Sequence, residues 1–117
     1  MREMENLDNI QFIKQIDQEG MLAHLREMPN LCQRAWQMAM EFNLPTDYSS
    51  VNKIVILGMG GSAIGGDLVR SLVTSEAKIP IFVQRDYDLP GFVDNQTLII
   101  ASSYSGMTEE TLSSFEQ

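Results

Sequence analysis

The sequence predicts an α/β fold: the beginning of a parallel, doubly wound sheet, incomplete, preceded by an N-terminal helical segment. Three observations carry this. Two short apolar runs, Lys53 to Leu57 and Thr97 to Ala101, are continuous rather than alternating, as in parallel strands covered on both faces. Each run empties into a loop rich in glycine or hydroxyl residues that opens a helix-like pattern. Before the first run, residues 9–42 show helical spacing and no strand pattern. The division falls near residue 50, with a helical segment over 1–50 and the first half of an α/β domain over 51–117.

Taken in order, residues 1–9 are polar and acidic without a clear period, as in a frayed terminus. Ile10, Ile13 and Ile16 begin a helical spacing. Asp17 is placed to cap a second helix, Gln18 to Glu27, with Met21, Leu22, Leu25 and Met28 as its apolar stripe. Pro29 punctuates this pattern. A third and stronger stripe, Leu31, Ala35, Met38, Ala39 and Phe42, predicts an amphipathic helix over Leu31 to Phe42. Asn43 to Asn52, with Pro45, Asp47 and two serines, reads as a connector. After the first strand, a helix is expected from about Ser62 to Val73. A second strand is expected over Ile79 to Val83, with Pro80 suiting its start or an edge. Arg85 to Gln96 is a polar loop. The last helix starts near Thr108 and carries Glu109 and Glu110 in its first turn, where acids complement the dipole.

Composition narrows the function. A chain of 117 residues, 44% hydrophobic and 21% charged, has apolar material for a core. Its net charge of −8 argues against nucleic acid, whose phosphates need clustered Lys and Arg. Cys32 is the only cysteine, so neither a disulfide framework nor a Cys-based metal site arises within one chain, which fits a reducing cytoplasm. No apolar run approaches a membrane span, and no signal peptide is evident. No metal site and no cofactor are expected. His24 lies in a helical stretch with no second ligand in view.

The chemistry points to the two loops. Gly58 to Asp67 holds glycine at 58, 60, 61, 65 and 66, suited to backbone that turns sharply and approaches a small ligand. A buried strand that ends in such a loop and opens a helix offers free N–H groups and a favourable dipole to an anion. Gly61 and Ser62 sit at that opening. The other loop spaces Ser103, Ser105 and Thr108 around Gly106, so that several hydroxyls can turn toward one point. Both loops follow strands at the carboxyl edge of the sheet, where ligands of open α/β sheets bind. Ser62 as a helix N-cap, and the 103–108 cluster as turn chemistry, are the plainer alternatives. A dinucleotide fingerprint is also matched in part by Gly58, Gly60 and Ala63. Its acidic partner would be Asp86, further on than usual, and it leaves the hydroxyl loop unexplained. A Walker A loop is excluded, since no Gly-Lys-Ser/Thr occurs.

Gly58-Met-Gly-Gly-Ser-Ala-Ile-Gly-Gly-Asp67 and Ser102-Ser-Tyr-Ser-Gly-Met-Thr-Glu-Glu-Thr111 together resemble the sugar isomerase (SIS) domain, in its flavodoxin-like form. Within that group the chain looks like the bifunctional phosphoglucose/phosphomannose isomerases, as do Arg85-Asp-Tyr-Asp-Leu-Pro90 and the helical segment. The resemblance implies a metal-free interconversion of glucose 6-phosphate or mannose 6-phosphate with fructose 6-phosphate through an enediol(ate). It implies a substrate phosphate held by Gly61, Ser62, Ser103, Ser105 and Thr108, and a cytoplasmic enzyme that self-associates, as a homodimer or otherwise. Met107 stands where the family usually has asparagine. The family's glutamate base, and its later histidine and lysine, match no residue of this chain, so an N-terminal fragment, inactive alone, is expected. A non-catalytic sensor of sugar phosphate is the alternative.

Overall fold

In the computed structural model, residues 8–45 and 47–117 are described. The expectation for 1–9 therefore lies almost wholly outside them. The chain divides into two compact units, with the boundary after Pro45.

The first unit contains α1 (Ile10–Ile16) and α2 (Met21–Glu41). Asn9 caps α1, its side chain accepting from the N–H groups of Gln11 and Phe12. Asp17 ends α1. The next helix starts at Met21 rather than Gln18, with Gly20 and not Asp17 as its N-cap. The Asp17 carboxylate still accepts from Met21 N at 2.6 Å and Leu22 N at 2.8 Å. The two helices expected on either side of Pro29 are one. Pro29 sits inside α2 and removes the bond its N–H would have made to Leu25 O, yet the helix continues. On this helix the stripes before and after Pro29 join into one pattern. Glu27 adds a bridge across the proline, receiving Asn30 Nδ2 at 3.0 Å and Arg34 Nη2 at 3.1 Å.

The second unit holds β1 (Lys53–Leu57), α3 (Gly60–Val73), β2 (Ile81–Gln84), β3 (Thr97–Ala101) and α4 (Glu109–Phe115). The strands form an open parallel sheet in the order β2-β1-β3. β1 is central because it is the most apolar: Val55, Ile56 and Leu57 are all buried. β2 starts two residues later than expected. Pro80 has no N–H for the ladder, but its carbonyl accepts Ile54 N at 3.0 Å, and pairing begins with Ile54 opposite Ile81.

The sheet is covered on both faces. α3 packs on β1 and β2, and α4 on β1 and β3, while the two helices do not pack on each other. Gly66 brings α3 against the sheet. A Cβ there would lie 3.1 Å from Ile56 Cγ2 and 3.2 Å from Val83 Cγ2. Ile56 therefore points to α3. Its neighbours Val55 and Leu57 point the other way and are 0% and 1% exposed, so that face is covered too. This is the doubly wound arrangement the apolar runs imply.

At the amino edge, Lys53 Nζ meets both carboxylate oxygens of Asp94 at 2.9 Å. Asn52 N donates to Gln96 O at 3.0 Å. These contacts fix the start of β1 against the turn before β3 and leave the opposite, carboxyl edge free for the loops.

Candidate functional site

Beyond the strand ends the ladder runs on for one step. Gly58 N donates to Gln84 O at 3.1 Å, and Ser102 N donates to Leu57 O at 2.8 Å. The loops after β1 and β3 are thereby drawn together, and Gly58 is where they meet. A Cβ at Gly58 would lie 3.2 Å from Ala63 N, 3.2 Å from Ser102 O and 3.3 Å from Ser62 C. Only glycine lets the backbones of both loops come this close.

α3 begins at Gly60, earlier than expected, with Met59 as its N-cap. Ser62 is therefore not the cap. It is the third residue of the helix, its N–H donating to Met59 O at 3.1 Å. Met59 has no side-chain oxygen and makes no cap bond, so the N–H groups of Gly60 and Gly61 open the helix without a capping partner. Gly60, at φ +51°, makes the turn into the helix. Ser62 is half-buried beside them.

The second loop gathers its hydroxyls. Ser103 Oγ lies 2.9 Å from Thr108 Oγ1, and Ser105 Oγ lies 3.5 Å from it. Gly106 N donates to Ser103 Oγ at 3.0 Å, and Met107 N donates to Ser105 Oγ at 3.1 Å. Gly106 takes φ +68°, which lets the loop close this tightly. Thr108 is the N-cap of α4 by backbone, but its side chain does not cap. Its hydroxyl turns to Ser103 and Ser105 instead. The structure thus brings together the three residues that the Ser-x-Ser-x-x-Thr spacing singled out, and sets their loop against the one that carries Gly61 and Ser62. The thioether of Met107 points to solvent, 76% exposed, and the loop closes through its backbone rather than its side chain.

No charged side chain belongs to this cluster. The nearest carboxylates in sequence, Glu109 and Glu110, lie in the first turn of α4, and Glu110 above all raises the Tyr87 hydroxyl from its usual value. Arg85, at the end of β2, is committed to Asp67 on α3. Asp86, wanted by the dinucleotide alternative, accepts from Tyr87 N at 2.7 Å through its own carboxylate. One buried polar atom nearby lacks a partner, Thr111 Oγ1 on α4.

Sequence reasoning missed the role of the loop after β2. Asp86 O accepts from Ser114 Oγ at 2.7 Å, and Tyr87 O accepts from Gln117 Nε2 at 2.9 Å. Serine at a buried helix position, where an apolar residue belongs, was the available signal. A separate cleft of 440 Å³ lies between α1 and α2, lined by Ile10, Ile13, Leu22 and Ala23 among others. It gathers no hydroxyl cluster. Among the described residues no group of His, Cys, Asp and Glu is arranged to hold a metal ion. No helix among them is long and apolar enough to cross a membrane.

Comparison with known proteins gives one consistent result. The chain is 46% identical over 96 residues to a bifunctional phosphoglucose/phosphomannose isomerase of Caldicellulosiruptor bescii, covering 82% of this chain and 28% of that protein. The matched stretch belongs to the bifunctional phosphoglucose/phosphomannose isomerase family. A family member from Thermoplasma volcanium is 50% identical over 66 residues, 56% of this chain and 21% of its own. Another, from Aquifex aeolicus, is 43% identical over 76 residues, 64% of this chain and 24% of its own. The chain thus spans about a quarter of the length of the isomerases it matches. No family model matches the chain, and no solved structure does.

Proposed function

We propose that this chain forms the phosphate-anchoring part of a phosphoglucose/phosphomannose isomerase. It would hold the 6-phosphate of glucose, mannose or fructose while proton transfer occurs at the other end of the sugar. The observation that carries this is the convergence of Ser103, Ser105 and Thr108, with the Thr108 hydroxyl withheld from helix capping. Gly106 and Met107 hold the two serines by donating to them, which leaves hydroxyl protons to give. Gly61 and Ser62, in the opening turn of α3, supply N–H and hydroxyl donors backed by a 14-residue helix dipole.

The chain's own part in the reaction is to bind and orient. Aldose–ketose interconversion needs a base that takes a proton from one carbon and returns it to the next. Nothing in the hydroxyl cluster can do that at neutral pH, since serine and threonine are neutral donors. The chain alone is therefore expected to bind substrate without turning it over. Turnover of glucose 6-phosphate by the purified chain would refute that expectation.

The binding claim is tested by titrating fructose 6-phosphate against the wild-type chain and the Ser103→Ala/Ser105→Ala variant. Each hydroxyl donor lost from an anion costs about 1.5–3 kcal/mol, roughly tenfold or more in Kd. Unchanged affinity would leave the serines as turn residues. Tight binding of NAD with indifference to the sugar phosphate would favour the dinucleotide reading instead.

A further inference from the structure

α3 and α4 carry the two halves of the proposed site but do not pack on each other. Apart from the sheet and the meeting of their loops at Gly58, the loop after β2 joins them. At one end, Arg85 Nη2 bonds Asp67 Oδ2 on α3, and Arg70 Nη2 holds the other oxygen of Asp67 at 3.3 Å. At the other end, the Ser114 hydroxyl of α4 donates to Asp86 O at 2.7 Å. Ser114 is 1% exposed, so the serine end of that bond is sheltered from water. Around these anchors, Gln84 Nε2 donates to Asp88 O at 2.9 Å and folds the loop back on β2. The contacts come from α3, α4 and β2, and none lies in the hydroxyl cluster.

We propose that residues 85–89 are a strap, and that Asp67 and Ser114 are positioning residues which set the spacing between the opening turn of α3 and the hydroxyl loop before α4. This rests on the phosphate reading above. The physical reason is effective concentration. A phosphate gripped by two loops binds well only if the second grip is already in place when the first forms. Neither Asp67 nor Ser114 needs to touch ligand. Loosening either anchor lets the helix starts move independently, and each loop then binds the anion more nearly alone.

The test is an amide NMR titration of the 117-residue chain with inorganic phosphate, followed at Gly61 and Gly106, one reporter in each loop. In the wild type both amides are expected to shift along one binding curve. In Asp67→Asn the Kd should rise about three- to fivefold, the scale of one exposed charged contact, and the two curves should separate. Ser114→Ala, which cuts the other anchor, should do the same and serves if Asp67→Asn does not fold. Asp67→Glu should restore the common curve. Asp94→Asn breaks an ion pair at the far edge of the sheet and should leave both curves unchanged, which separates positioning from general loosening. Wild-type curves in both anchor variants would overturn the strap and leave the phosphate reading standing. Absence of any shift at Gly61 and Gly106 in the wild type would overturn the phosphate reading, and the strap with it.

Discussion

Replacing Gly58 with alanine should destabilise the second unit, because of what the methyl meets. Gly58 is not at positive φ, so its backbone accepts an alanine without torsional strain. The obstacle is contact. The new Cβ would sit 3.2 Å from Ala63 N, 3.2 Å from Ser102 O and 3.3 Å from Ser62 C. Comfortable carbon contacts lie at about 3.5–4.0 Å, so each neighbour must yield by a few tenths of an ångström. All three atoms are backbone, and no rotamer change can relieve them. Overpacking of this kind costs about 1–3 kcal/mol. For a domain of this size each kcal/mol lowers Tm by about 4–8 °C. Urea and thermal unfolding followed by circular dichroism measure the loss. The matched control is Gly65→Ala, in the same stretch but with nothing within 4 Å of its Cβ. There the helix should gain about 0.5–1 kcal/mol. The reasoning fails if Gly58→Ala is as stable as wild type, or if the two variants shift in the same direction.

Two further outcomes test other parts of the chain. Pro29→Ala restores an N–H to the interior of α2 and should stabilise that helix by about 3 kcal/mol, seen as added ellipticity and later melting. No change would mean the helix is not continuous through residue 29. The hydrogen bond from Lys53, with help from Gln96 N and Thr97, holds the Asp94 carboxyl below its usual value of 3.8. A lowered folded value means that its contribution is present at neutral pH and is lost as pH falls below 3.8 through the folded value. The acid limb of the stability profile should therefore be shallower in Asp94→Asn than in wild type, and identical limbs would discount the pair.

β1 was legible because burial on both faces writes itself as a continuous apolar run. β3 carries the same kind of run although its last two residues are exposed, and both lie where Lys53–Leu57 and Thr97–Ala101 placed them. The hydroxyl loop was legible for a related reason: a tight turn fixes which side chains converge, and spacing alone told which they were. Boundaries were less so. Pro80 begins the ladder through its carbonyl, a bond that composition does not show. Gly60 starts α3 although glycine is a poor helix former, because the turn into the helix needs its positive φ more than the helix needs a side chain. Pro29 misled because helix continuity is decided by the turns on either side as well as by the residue itself. The strap was invisible because one end bonds main-chain atoms of Asp86 and Tyr87, which every residue possesses, and the other pairs Arg85 with Asp67, 18 residues away.

On the proposed reading, the two loops hold an anion with neutral donors in a chain whose net charge is −8. At −8 the protein repels phosphate at long range, and a site of lysines and arginines would be the direct remedy. Here the arginines of the second unit near the site are already spent: Arg70 and Arg85 share Asp67. What remains acts only at contact. Hydroxyls and amide N–H groups attract over hydrogen-bond distances, where geometry counts for more than net charge. Such a site depends on its donors being in place before the ligand arrives. On that reading the surrounding structure serves placement: Gly58 admits the close approach of the two loops, the amides of Gly106 and Met107 hold the serines, and the Thr108 hydroxyl turns to them instead of capping α4.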